Sequence, residues 1–149
     1  MLAPGNLILF TPFHFKNGDT PKNKFFVVLG ILDDVTILAS LPTSVNKAPS
    51  LINKLHGCIN HDDRCYNCYV YESNRVICDS GFSFDLPTFI YGNDIEDYQI
   101  STLQKKYQTE GKDYQLIGAL LPDEFQNLMQ CIQDSGSIKR GIRRALFPN

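Results

Sequence analysis

At 149 residues, 43% hydrophobic and 20% charged, the chain has the size and make-up of one soluble domain, large enough to bury a core without disulfide staples. Its net charge of -2 excludes a global electrostatic pull on nucleic acid, so such binding must come from a local basic patch. The longest apolar stretches, such as FFVVLGIL (25–32), fall far short of the ~18–20 residues needed to span a bilayer, so no membrane association is expected.

The first half reads as strands. Pro4-Gly5-Asn6 signals a turn, and LILFTPF (7–13) after it is β-rich. Residues 13–23 contain Asn17-Gly18 and Pro21 and read as a loop. KFFVVLGIL (24–32) is nearly continuous in apolar, β-branched and aromatic residues and too short for a helix, which predicts a buried strand. Asp33-Asp34 marks a tight turn into the strand VTILASL (35–41), ended by Pro42. Residues 46–63 read as irregular, apart from a short helical turn in PSLINKL (49–55). CYVYES (68–73) alternates in the strand manner, and RVICDS (75–80), after the Ser73-Asn74 turn, reads as the return strand of a hairpin. PTFIYG (87–92) is a further strand. Ile100, Leu103 and Tyr107 stand at helical spacing, which predicts one or two helical turns before the last strand, YQLIGAL (114–120).

The C-terminal part reads as helical. Phe125, Leu128, Met129 and Ile132 form one apolar face of a helix over 122–134. Pro122 suits its first position, Asp123 and Glu124 suit the positive end of its dipole, and Ser135-Gly136 stops it. Ser137 is expected to cap a second helix, IKRGIRRALF (138–147). Strands followed by helices predict a mainly β chain with C-terminal helices, built as a small barrel with a packed C-terminal helix.

Three of the five cysteines fall in HGCINHDDRCYNCY (56–69). Cys58, His61, Cys65 and Cys68 are ligand types suited to a structural zinc, with Cys78 able to replace Cys58 or His61 across a hairpin. The same spacing also admits a thiol/disulfide pair or reduced structural cysteines. Strand alternation through CYNCYVYES would point neighbouring side chains apart. An odd cysteine count and the lack of a basic leader in MLAPGNLILF favour reduced cysteines and a cytoplasmic location. His14, between Phe13 and Phe15, reads as structural. Phe82, Phe84, Phe89 and Tyr91 read either as core or as stacking platforms for bases.

Four stretches, in order, carry a resemblance: PGNLILF (4–10), KNKFFVVL (22–29), PTFIYGNDIEDYQISTLQ (87–104) and IGALLPDEFQNLMQCI (117–132). Together they resemble the MazF/PemK (Kid) family of toxins from toxin–antitoxin systems. The resemblance covers most of the chain outside about 46–84, which becomes a Cys-rich insertion in a single domain over 1–149. It implies an SH3-like β-barrel, a homodimer, and a metal-independent endoribonuclease on single-stranded RNA, or a degenerate relative, held by a cognate antitoxin. No cofactor is required by it; a structural zinc in the insertion is a separate expectation.

By position, Lys24 stands where the family has a catalytic Arg, and Thr43 or Ser44 where it has a hydroxyl. Asp94 stands where the later strand has Gln. Lys24 offers a point charge in place of a planar fork, so it can stabilise charge on a phosphorane-like transition state but orients it less well. Lys139, Arg140, Arg143 and Arg144, four of the 14 basic residues, form a second candidate surface for RNA or a partner; the plainer alternative is a solvated helix face. A non-catalytic barrel that binds a protein or nucleic acid is the rival reading.

Overall fold

The computed structural model describes residues 1–41, 56–61 and 66–148, leaving aside the side chains of His61 and Tyr66. The elements in chain order are β1 (Asn6–Phe13), β2 (Lys22–Leu32), β3 (Val35–Leu41), β4 (Gly57–His61), β5 (Tyr66–Tyr71), β6 (Thr88–Tyr91), a 3-10 turn (Gly92–Asp94), β7 (Ile95–Gln99), α1 (Ile100–Lys106), β8 (Tyr114–Ala119), α2 (Pro122–Asp134) and α3 (Arg140–Leu146). The class is therefore mainly β with helices chiefly at the C-terminal end. The helical turn expected in PSLINKL lies outside the described residues. No helix among the described residues is long and apolar enough to cross a membrane.

Five strands form one antiparallel sheet in the order β7-β3-β2-β1-β8, with β7 and β8 at its edges. Its centre explains the unbroken apolar run in β2. Val27 and Leu29 face one core, Phe26 and Val28 face another, and a strand buried on both sides has no polar alternation to show. Asp33 turns the β2–β3 hairpin with a φ of 55°, a left-handed conformation that Asp tolerates better than most residues. Asp34 then caps α1: its carboxylate accepts from the Ser101 hydroxyl at 2.9 Å, and its carbonyl from the Ile100 N–H at 2.8 Å.

A second antiparallel sheet has the order β4-β5-β6. Two expectations change here. The stretch read as irregular contains β4, and β5 pairs with β4 and β6, not with RVICDS. RVICDS instead crosses to the edge of the large sheet. Cys78 bridges Leu120, the Asp79 N–H donates to the Ala119 carbonyl, and the Leu121 N–H donates to the Ile77 carbonyl.

The main core lies between the sheets, α2 and α3. Tyr69, Tyr71, Ile77, Cys78 and Phe84, all from the segment read as an insertion, are part of it. These residues of that segment are built into the core, not laid over it. Leu128 and Ile132 bury the expected face of α2 there, each worth about 1.5–3 kcal/mol relative to exposure. α3 packs so closely on β2 that a Cβ on Gly30 would meet Leu146 Cδ2 at 2.8 Å. Its start differs from expectation. Ser137 does not cap it but donates to Asn67 Oδ1, and α3 begins after Lys139. The second core, on the other face of the large sheet, is covered by Leu103 and Tyr107, on and just after α1.

Candidate functional site

The loop between β1 and β2 folds over the second core. With β7 and α1 it bounds a groove of about 440 Å³, within the size range of small-ligand sites. Its floor is apolar and buried, made by Phe13, Leu103 and Tyr107. Its rim is polar: His14, Lys16, Asp97, Gln99, Thr102 and Lys106. His14, read as structural, is exposed there, because the bulge in β1 before Phe13 leaves Phe13 inward and its successor outward.

Two tyrosines set the chemistry of the groove. Tyr107 lies parallel to Phe13 (7° between planes), and its hydroxyl accepts the His14 N–H at 2.9 Å. Burial raises its pKa, partly offset by that hydrogen bond, so the hydroxyl keeps its proton. Burial, then the Glu96 carboxylate, likewise raises Tyr98. Phe13 and Phe26 meet the Tyr98 ring edge-on, at 88° and 83°. Lys16 Nζ covers its face at 4.3 Å from the ring centre, and lies 3.9 Å from the Asp97 carboxylate. With the two side chains 53% and 67% exposed, that ion pair is worth ~0–1 kcal/mol and the cation–ring contact ~0.5–1 kcal/mol. Lys16 is thus held loosely.

Lys24 is half-buried on β2 opposite Phe10. Directly paired residues share a face, so Lys24 lies on the face that carries the groove, two residues before Phe26. Thr43 and Ser44 lie outside the described residues. Asp94, half-buried in the 3-10 turn, precedes β7, two strands across the sheet from β2.

The basic C-terminal residues are elsewhere. α3 packs at Gly30, six residues along β2 from Lys24, or about 20 Å at the usual rise per residue. Lys139 pairs with Glu96 at 3.1 Å, and the Arg143 guanidinium donates to the carbonyls of Gln133 and Ser135 at the end of α2. Arg140 and Arg144 are exposed. The four do not join Lys24 in one surface. Of the aromatic set, Phe84, Phe89 and Tyr91 are buried in the core, and Phe82 is half-buried, packed on it beside Phe84.

Among the described residues the zinc set is not brought together. Cys58 is joined to Cys131 in a disulfide, its Cα 5.5 Å from its partner's, so it has no thiolate to offer, and the expectation of reduced cysteines fails at this pair. Ile59 pairs with Cys68 and Cys58 with Tyr69, which puts Cys58 and Cys68 on opposite faces of the small sheet. Cys68 is buried against Ile59, Val70, Phe89 and Tyr91. Cys65 lies outside the described residues, as does the side chain of His61. Among the described residues no group of three or more His, Cys, Asp or Glu is placed to hold a metal.

One cluster was not foreseen. Glu124, buried in the first turn of α2, accepts from His56 Nε2 at 2.8 and 2.9 Å and from the Tyr69 hydroxyl at 3.1 Å, with Arg75 Nε at 3.5 Å. His56 Nδ1 accepts the Glu72 N–H at 3.1 Å, which puts the ring proton on Nε2. Both ring nitrogens are engaged, so His56 positions the chain and is not a free base. Nearby, burial pushes the Cys78 thiol up to about 12, with the Asp79 and Glu124 carboxylates adding to it. That leaves it a protonated, poor nucleophile. The signal in the sequence was periodicity: Glu124 stands four residues before Leu128 and so belongs to the buried face of α2.

No protein-family model matches this chain, and no curated protein matches it.

Proposed function

We propose that the chain acts on single-stranded RNA as a MazF/PemK-like toxin, a metal-independent endoribonuclease restrained by a cognate antitoxin. The observation that carries the reading is the coincidence of Lys24 and the aromatic, lysine-rimmed groove on one face of the large sheet, in a chain whose net charge is negative. Stacking rings with flanking cations suit an unpaired strand, because every base has a π-face and every linkage a phosphate. The ordered resemblance of four stretches adds the catalytic part. An SH3-like barrel, a homodimer and a cytoplasmic site of action belong to the same reading. In the cytoplasm the Cys58–Cys131 disulfide would face a reducing thiol pool.

In this mechanism the RNA 2′-oxygen attacks the adjacent phosphorus. The new O–P bond forms as the bond to the 5′-oxygen breaks, and the 2′-hydroxyl proton passes to a base while the leaving oxygen gains one. The Lys24 ammonium stabilises the charge that builds on the phosphorane oxygens. A hydroxyl from Thr43 or Ser44 would hydrogen-bond a phosphate oxygen or the attacking group.

The test is incubation of purified protein with a long, mixed-sequence RNA, with and without a chelator. Defined fragments that persist with chelator and vanish in Lys24→Ala are expected. RNA left intact at high protein concentration overturns the nuclease. RNA bound but uncut would favour the rival, a non-catalytic binding domain, for which Lys24 in place of Arg is the specific observation.

A further inference from the structure

We infer that the groove between the β1–β2 loop, β7 and α1 is a single-nucleotide subsite, and that Lys16 is its displaceable cover. The inference rests on the RNA reading above and adds where one base sits and what moves to admit it. Tyr98 is the platform. Phe13 and Phe26 stand nearly perpendicular to its ring, and Lys16 Nζ lies over one of its faces. A planar base can stack on that face only when Lys16 leaves it.

Lys16 leaves readily. Its ion pair with Asp97 is exposed on both sides, and the Asp97 carbonyl takes its remaining hydrogen bond at the surface. A phosphate beside the base offers the ammonium a stronger partner than the exposed carboxylate. The same side chain that closes the platform then grips the strand lying on it. Lys106, exposed on α1 at the other side of the groove, supplies a second cation for the backbone.

The rest of the lining fits the sugar and the base. The Tyr107 hydroxyl spends its lone pair on the His14 N–H, which leaves its own proton to donate to an oxygen of the ligand. Asp97, once released, is an acceptor for the amino or imino group of a base. The apolar floor of Phe13 and Leu103 excludes water beneath the ring. A duplex offers no unstacked base and is not accommodated.

The experiment is fluorescence anisotropy of the full chain with a labelled ten-nucleotide single-stranded RNA of mixed sequence, 2′-O-methylated throughout so that it cannot be cut, over a salt series. Tyr98→Leu is expected to weaken binding about tenfold or more, and Tyr98→Phe, which keeps the ring, to bind within about twofold of the parent. Lys16→Met and Lys106→Met, both at exposed positions, are each expected to lower the slope of log K against log salt by about 0.7. They keep the test decisive if Tyr98→Leu fails to fold. Parent protein that binds the RNA while Tyr98→Leu and both methionine variants bind it equally well overturns the subsite and leaves the RNA reading standing. Parent protein that binds no RNA overturns both.

Discussion

The two sides of the large sheet use polar groups in opposite ways. On the side of α2 and the small sheet, buried Glu124 and Tyr69 and half-buried His56 are hydrogen-bonded together, and a disulfide joins β4 to α2. On the other side, charged and hydroxyl groups stand at the rim of a groove, and the Lys16–Asp97 ion pair there is exposed and weak. Buried polar groups bonded to one another fix a structure. Polar groups left at a rim over an apolar floor are available to something else. The contrast separates the half of the molecule that holds its shape from the half that can receive a ligand.

The comparison can be broken most directly at the disulfide. Replacing Cys58 and Cys131 together by Ser removes a cross-link between residues 73 apart, for which loop entropy gives about 4 kcal/mol of lost stability. Urea denaturation should show that loss, while RNA affinity of the folded fraction stays within about twofold. An equal loss of affinity would mean that the two sides are not independent.

Glu124→Ala comes next. It strands the donors of His56, Tyr69 and Arg75 around a hole and should cost about 3 kcal/mol. Glu124→Gln, which keeps an acceptor, should cost less. An unchanged urea midpoint for the alanine variant would show that the cluster contributes nothing.

Alkaline pH tests the same side. A raised pKa in the folded state means stability that is complete below the ordinary thiol range and lost as pH climbs. For Cys78 that loss runs from about pH 9 toward 12, at about 1.4 kcal/mol per pH unit for a single group. Tyr69 and Tyr71, raised chiefly by burial, act in the same direction at higher pH. Thermal melts that stay level across pH 9–11 would contradict this.

The smallest effect is expected at Lys139→Ala. Its pair with Glu96 is half-exposed, so stability should shift by less than about 0.5 kcal/mol. Single-stranded RNA affinity should change by less than about twofold, because neither Lys139 nor Glu96 lines the groove. A tenfold loss of affinity would move the RNA surface to α3.

The large sheet was legible because its strands announce themselves locally. LILFTPF, KFFVVLGIL, VTILASL and YQLIGAL each appear as β1, β2, β3 and β8. The apolar face of α2 was legible for the same reason. What failed depended on distant partners. GCINH carries no apolar alternation strong enough to mark β4, which is fixed by pairing with β5 and by the bond to Cys131. RVICDS has the composition of a strand, but its strand-like hydrogen bonds are with Ala119 and Leu121, not with β5. The groove was invisible because its lining comes from Phe13 to Lys16 and from Asp97 to Tyr107, brought together only when the β1–β2 loop folds across the sheet.

The place of β1 has a consequence in time. Its two neighbours in the sheet are β2, which follows it within a few residues, and β8, which comes after every other strand. On a ribosome, one edge of β1 therefore stays open until Tyr114–Ala119 has emerged, and Cys58 has no partner until α2 has followed. Until then the growing chain presents an unpaired strand edge and a waiting thiol, so its exposure to mispairing is greatest just before β8 and α2 emerge.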